Sequence, residues 1–164
     1  MSLSIRPPRT DEAALVLDFV RELADYEKLS HDVVATEAMI EQALFAPQPR
    51  LFCDIAEWEG TPVGFSLWFL NFSSFRGRHG IYLEDLFVRP AFRGFGIGKA
   101  LLAALAHRCA ANGWARLEWS VLDWNTPSIA FYKSIGATLM DGWTTCRLTG
   151  EALQQLGSQG GRHE

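Results

Sequence analysis

Gly94, Gly96 and Gly98 alternate between Arg93 and Lys99, after a strand-like run and before a helix-like one. Glycines so spaced let the backbone approach a ligand closely and turn successive N–H groups to one side. A helix start adds the positive end of its dipole, which makes such a stretch a cradle for an anion. Each amide bonded to an anionic oxygen contributes about 1.5–3 kcal/mol, so several together hold a pyrophosphate without a lysine clamp. Spacing decides which cradle this is. A dinucleotide fingerprint starting at Gly94 needs glycine where Lys99 stands, and one starting at Gly96 needs it where Leu101 stands. A P-loop ending at Gly98-Lys99 needs glycine at Arg93 and a hydroxyl at Ala100. The pattern that fits is Arg-x-x-Gly-x-Gly over Arg93, Gly96 and Gly98. Taken alone, it equally describes a plain strand-to-helix turn.

The elements around the loop follow from patterning. Residues 3–6 read as a strand stopped by Pro7-Pro8, and Thr10 as the N-cap of a helix with Asp11 and Glu12 in its first turn. Leu15, Phe19 and Leu23, with Val16 and Val20, form its apolar stripe as far as Asp25. Residues 26–34 read as loop, and a second short helix starts after Thr36 and ends before Pro47. Residues 51–58 and 62–72 form a hairpin around Glu59-Gly60. A polar link, 73–80, leads to a third strand, 81–88. The helix after the glycine loop buries Leu101, Leu102, Leu105 and Ala106 and ends at a left-handed cap on Asn112-Gly113. A strand follows at 115–122. Thr126-Pro127 starts another helix, which Gly136 stops. Residues 138–140 and 143–148 are expected to close the sheet, 151–156 to form a last helix, and 157–164 to fray. The prediction is one mixed α/β (α+β) domain over residues 1–164.

The 164 residues, 48% hydrophobic and 21% charged, are ordinary for a globular domain, and the 11 Phe and 6 Trp supply a large core. A formal charge of −4 argues against a nucleic-acid binder and is compatible with a cationic small substrate. No apolar run approaches the ~20 residues of a membrane span. The first eight residues lack the apolar stretch of a signal peptide, giving the expectation of a cytoplasmic protein. Cys53, Cys109 and Cys146 stand far apart, and His31, His79, His107 and His163 show no ligand spacing, so neither a disulfide framework nor a metal site is expected.

Strand, glycine loop, helix, strand, Asn125, then a helix carrying Tyr132 form a larger layout. It resembles the GNAT superfamily of acyl-CoA transferases, and within it the diamine (spermidine/spermine) and thialysine acetyltransferase branch. The residues that carry the resemblance are Tyr82-Leu-Glu-Asp85, Phe87-Val88, Arg93-Gly-Phe-Gly-Ile-Gly98, Trp124-Asn125, Pro127-Ser-Ile129 and Phe131-Tyr-Lys133, with Leu23-Ala24 and Tyr26-Glu27 near the N-terminus.

The resemblance implies a twisted mixed sheet splayed between the 81–88 and 115–122 strands, with acetyl-CoA in the opening. It implies pairing of the pantetheine arm with the backbone of Leu86, Phe87 and Val88. The pyrophosphate is expected on the amides of Arg93, Gly94, Phe95, Gly96, Ile97, Gly98 and Lys99, and Asn125 near the thioester end. An alkyl ammonium, with a pKa of about 10.4, must lose a proton before it attacks a thioester. Glu84 is the expected base, directly or through water, and Tyr132 the expected acid for the departing thiolate. Asp85 faces the other side of an ideal strand unless a bulge intervenes. Tyr26 and Glu27, with Glu84 or Asp85, are the expected holders of a second cationic group. The expected activity is therefore acetyl transfer to a small diamine, polyamine or lysine-like amine in a ternary complex, by a homodimer. Acetylation of a protein or peptide amine and a non-catalytic acyl-CoA sensor stand as alternatives.

Overall fold

The computed structural model describes residues 2–161. Five strands form one sheet in the order β1-β2-β3-β4-β5: β1 (Leu3–Arg6), β2 (Phe52–Trp58), β3 (Thr61–Ser73), β4 (Arg78–Val88) and β5 (Leu117–Glu118). The first four are antiparallel neighbours, and β5 lies parallel to β4. The helices are α1 (Ala13–Tyr26), α2 (Glu37–Phe45), α3 (Ile97–Asn112), α4 (Thr126–Ser134) and α5 (Gly150–Gly160). A parallel neighbour requires a crossover, and α3 supplies it between β4 and β5. The chain groups into two compact units, residues 1–122 and 123–164.

In the first unit the apolar stripe of α1 drives the packing. Val16, Leu17 and Phe19 are buried with Ile55, Phe65, Leu67 and Phe87 of the sheet, and the Phe19 and Phe65 rings stack with centroids 5.1 Å apart. On the sheet's other face α3 buries Ile97 and Leu101 against Ala56 and Val63. Arg108 of α3 reaches Asp54 of β2 at 2.8 Å and lies over the Trp68 ring. Gly113, at φ 66°, ends α3 in the left-handed conformation its type permits.

Several boundaries differ from the sequence pattern. Glu12, not Thr10, occupies the N-cap of α1, because its carboxylate is drawn to the Arg6 guanidinium at 2.8 Å and the Arg9 amide at 2.7 Å. Tyr26 closes α1 instead of opening a loop. Half of the polar 73–80 link is strand, because β3 and β4 pair out to Ser73 and Arg78, leaving only residues 74–77 as a turn. The 115–122 strand shortens to β5, since only Leu117 and Glu118 find ladder partners on β4.

In the second unit α4 begins as expected, with Pro127 in its first turn, and ends at Gly136, φ 93°. Residues 138–148 form no strand, against expectation. Strand-forming residue types alone do not make a ladder without a partner backbone. Helix α5 extends to Gly160, so residues 157–160 are helical instead of frayed; residues 162–164 of that expected tail lie outside the described residues. No helix among the described residues is long and apolar enough to cross a membrane.

Candidate active site

The parted edge of the sheet comes first. Among the described residues β4 pairs with β5 only at Ile81 and Tyr82, and then runs on to Val88 with no strand on that side. Register shows which backbone groups face that gap. The Arg89 amide donates to the Val63 carbonyl at 2.8 Å, so in an antiparallel ladder Phe87 also bonds toward β3, opposite Phe65. A Cβ on Gly64 would meet the Phe87 carbonyl oxygen at 2.7 Å, which fits that direction. Leu86 and Val88 therefore present their N–H and C=O groups to the gap. Phe87, expected to share that role, instead has its backbone in the ladder and its ring in the core.

Immediately beyond β4 lies the glycine loop. Gly94 and Gly96 take φ values of 84° and 78°, which other residues adopt only with strain. Gly96 is the N-cap of α3, and its carbonyl accepts from the Ala100 amide at 2.9 Å. The amides of Ile97, Gly98 and Lys99 are thus the orphan donors of a helix start. Among the described residues no acceptor engages the amides of residues 94–99. Two left-handed glycines beside a helix start turn these donors into an anion nest, so the residues present fit a bound diphosphate.

Arg93 departs from this pattern. Its amide bonds to the Pro90 carbonyl at 3.3 Å, which removes it from the cradle. Its side chain instead donates to the Val88 carbonyl at 2.9 Å, and its guanidinium lies 4.9 Å from the Tyr26 ring centre and 5.3 Å from that of Phe87. Arg93 thereby ties the loop to the end of α1 and to the last turn of β4. The Phe95 side chain, exposed, rests against Trp58 at 5.5 Å. Neither side-chain contact was legible in the Arg-x-x-Gly-x-Gly spacing, which constrains backbone alone.

A bulge decides where the acidic pair points. Leu67 pairs with Asp85 but Trp68 pairs with Leu83, leaving Glu84 as the extra residue on β4. Directly opposed residues project to the same face. Trp68 lies under Arg108, so Leu83 shares the α3 face; Leu67 lies in the α1 core, so Asp85 shares the α1 face. Without the bulge Asp85 would have entered the α3 side. Glu84 is exposed, whereas Asp85 is mostly shielded. Burial, and then the charges of Glu84 and Glu27, push the Asp85 carboxyl up to about 7. Glu27, just past the end of α1, is also raised, by burial. The nearby cations are engaged elsewhere: Arg89 pairs with Glu22 at 3.1 Å, and Arg93 is committed as described.

The first unit thus gathers Tyr26, Glu27, Glu84, Asp85, the Leu86–Val88 edge and the glycine cradle. Asn125 and Tyr132 belong to the second unit. Asn125 is buried, occupies the N-cap of α4, and its carbonyl accepts from the Ile129 amide at 3.0 Å. Tyr132 sits on α4 beside Phe131, ring centres 5.6 Å apart.

A mixed sheet parted beside a free-amide cradle is the architecture of an acetyltransferase. The profile of the acetyltransferase (GNAT) family matches residues 17–137, and the chain belongs to that family. It is similar to the thialysine N-epsilon-acetyltransferase of Bos taurus, 36% identical over 93% of this chain and 95% of the relative. It is also similar to an L-ornithine N5-acetyltransferase of Arabidopsis thaliana, 46% identical over 93% of this chain and 86% of the relative. Among solved structures an integron cassette protein of V. cholerae superposes with a TM-score of 0.78 and 29% identity, covering 96% of this chain and 98% of that one. The protein is an N-acetyltransferase.

Proposed function

We propose that this enzyme transfers the acetyl group of acetyl-CoA to a primary amine of a small diamine, polyamine or lysine-, thialysine- or ornithine-like amino compound. The observation that carries this reading is the grouping of three carboxylates, Glu27, Glu84 and Asp85, at one end of the parted sheet edge. A dication is attracted there. One opposite charge at ~4 Å contributes about 1 kcal/mol in water and about 4 kcal/mol at an effective dielectric of ~20. The named activities of the thialysine and ornithine relatives support the same class of substrate.

Acetyl-CoA supplies the thioester carbonyl that the amine attacks. The amides of residues 94–99 would hold its diphosphate, and the gap-facing groups of Leu86 and Val88 its pantetheine arm. The carboxylates at 84 and 85 strip the substrate ammonium of a proton. The amine nitrogen then forms the new C–N bond as the C–S bond breaks, and the sulfur leaves with the electron pair. Tyr132, by the family resemblance, protonates the sulfur, the nitrogen releases its second proton as the amide forms, which restores Tyr132 by way of solvent, and Asn125 orients the same end. In this reading residues 1–164 act as one catalytic domain, supported by a family match that runs through both units. We propose the homodimer on the family resemblance alone.

An assay for free CoA across a panel of diamines, polyamines and basic amino acids tests the proposal. Turnover above background hydrolysis is expected with at least one of them, and none with any would overturn it. Tyr132→Phe should lower turnover at least tenfold while coenzyme binding by calorimetry is unchanged. Unchanged turnover removes Tyr132 as the acid.

A further inference from the structure

We infer that a hydrogen bond between the hydroxyls of Tyr82 and Ser120 closes the inner end of the parted sheet edge and sets the length of acyl group the enzyme accepts. It admits acetyl and excludes longer chains. Tyr82 and Ser120 hold this role only within the acetyl-CoA reading above, to which they add a selectivity for the acyl donor.

The seam between β4 and β5 is followed level by level. The Ala115 amide donates to the His79 carbonyl at 2.7 Å, and the Ile81 amide to the Arg116 carbonyl at 3.0 Å. Asn71 Nδ2 donates to the Glu118 carboxylate at 3.1 Å, and Arg116 pairs with the same carboxylate at 2.8 Å. Ladder pairing ends with Tyr82 opposite Glu118. Two residues further on, the Ser120 hydroxyl meets the Tyr82 hydroxyl at 2.9 Å, where the parting begins. The Tyr82 ring lies beside Phe69 of β3, ring centres 5.2 Å apart, which fixes the aim of its hydroxyl.

Both hydroxyls stand on the α1 face of the sheet. Leu83 shares the α3 face, so its neighbour Tyr82 turns the other way, and Ser120 follows Glu118, the partner of Tyr82, by two residues. On the α3 face Ile81 and Leu83 are buried and close the floor of the gap. A group advancing along the gap therefore meets packed side chains on one face and the Tyr82–Ser120 tie on the other.

Length decides what fits. A Cβ on Gly98 would lie 3.8 Å from a methyl of Val88, so the start of α3 abuts the outer end of the gap. The pantetheine arm has about twelve chain atoms between diphosphate and sulfur, the length of roughly four extended residues. Counted back along β4 from Val88, four residues reach Glu84 and six reach Tyr82. The remainder is two residues, ~7 Å less the shortening at the bulge, and it takes the two carbons of an acetyl group. A longer chain must push Ser120 away from Tyr82 and break their bond.

The test is the affinity of the full-length enzyme for acetyl-, propionyl- and butyryl-CoA by calorimetry, with kcat/KM for each donor on one diamine. Wild type should bind acetyl-CoA at least tenfold more tightly than butyryl-CoA. Tyr82→Phe and Ser120→Ala each remove one hydroxyl and should narrow that ratio about fivefold, the worth of one neutral hydrogen bond. The double variant should narrow it no further, because both substitutions break the same bond. Ser120→Thr keeps a hydroxyl and should keep the ratio. Equal wild-type affinity for the three donors, or the wild-type ratio preserved in both single variants, overturns the role of the tie. A general loosening of the fold weakens all donors alike and leaves the ratio unchanged, so it counts against the tie as well. Should wild type bind the donors but acetylate no amine, the amine reading falls while the affinity ratios still decide for or against the tie. Should it bind none of them, both fall.

Discussion

Glu12 and Asp85 are both largely buried carboxylates at the margins of one sheet, and they are driven in opposite directions. Glu12 accepts both terminal nitrogens of Arg6 at 2.8 Å and the Arg9 amide at 2.7 Å, and these bonds hold it down at about 2. Asp85 has two carboxylates for company and rises to about 7. Burial raises both groups; what differs is the partner. A charge satisfied by arginine ties β1, β2 and α1 together, since Arg6 also reaches Glu57 at 2.6 Å. A charge left among like charges gives up stability and gains a proton affinity useful in solution near neutrality. The molecule thus separates a carboxylate that holds the fold from one whose proton affinity suits the chemistry proposed for it.

The largest effect falls on the paired group. Arg6→Ala leaves Glu57 without its cation and Glu12 with only the exposed Arg9 guanidinium at 3.0 Å, and should cost roughly 3–5 kcal/mol in urea unfolding at pH 7. A loss under ~1 kcal/mol would remove the contrast. The wild-type contribution follows Glu12's depressed affinity, so it is present above about 4.5 and disappears as pH falls from there toward 2.

Asp85 carries the opposite sign. Its raised folded value means stability is greatest below its unfolded value of about 3.8 and is lost as pH rises through 7. Asp85→Asn should therefore stabilise the protein by roughly 2–4 kcal/mol at pH 8 and by almost nothing at pH 4. Equal stability of variant and wild type at both pH values would refute the desolvated, unpaired state of this carboxyl. The smallest change comes from Glu27→Gln, which removes one neighbouring charge. The midpoint of the Asp85-linked loss of stability should move down by about half a pH unit, as read from the same unfolding curves. An upward move would show that Glu27 does not act on Asp85 through its charge.

How legible all this was in the sequence depended on range. Local signals carried far: the α1 stripe of Val16 and Phe19, the alternating glycines, Pro127 at the head of α4 and Gly113 at the foot of α3 are each set by neighbours within a turn. The glycine loop was legible because free amides at a helix start are a backbone property. Long-range registers were not legible. Whether Glu84 or Asp85 meets α1 depends on how β3 pairs with β4, and nothing in Tyr82-Leu-Glu-Asp-Leu marks a bulge. The Arg93 guanidinium was likewise beyond reach, because Tyr26 lies 67 residues away in the chain and only the folded sheet brings it near. Residues 138–148 show the converse, with strand-like composition but no ladder.

The most direct measurement is the ratio of kcat/KM for a linear diamine to that for the monoamine of equal length, with acetyl-CoA saturating and product followed by its mass increase. A site that holds a second ammonium between Glu27 and Glu84 favours the diamine by at least tenfold, about 1.4 kcal/mol. Equal values for the two amines would contradict an acidic pocket built for cationic substrates.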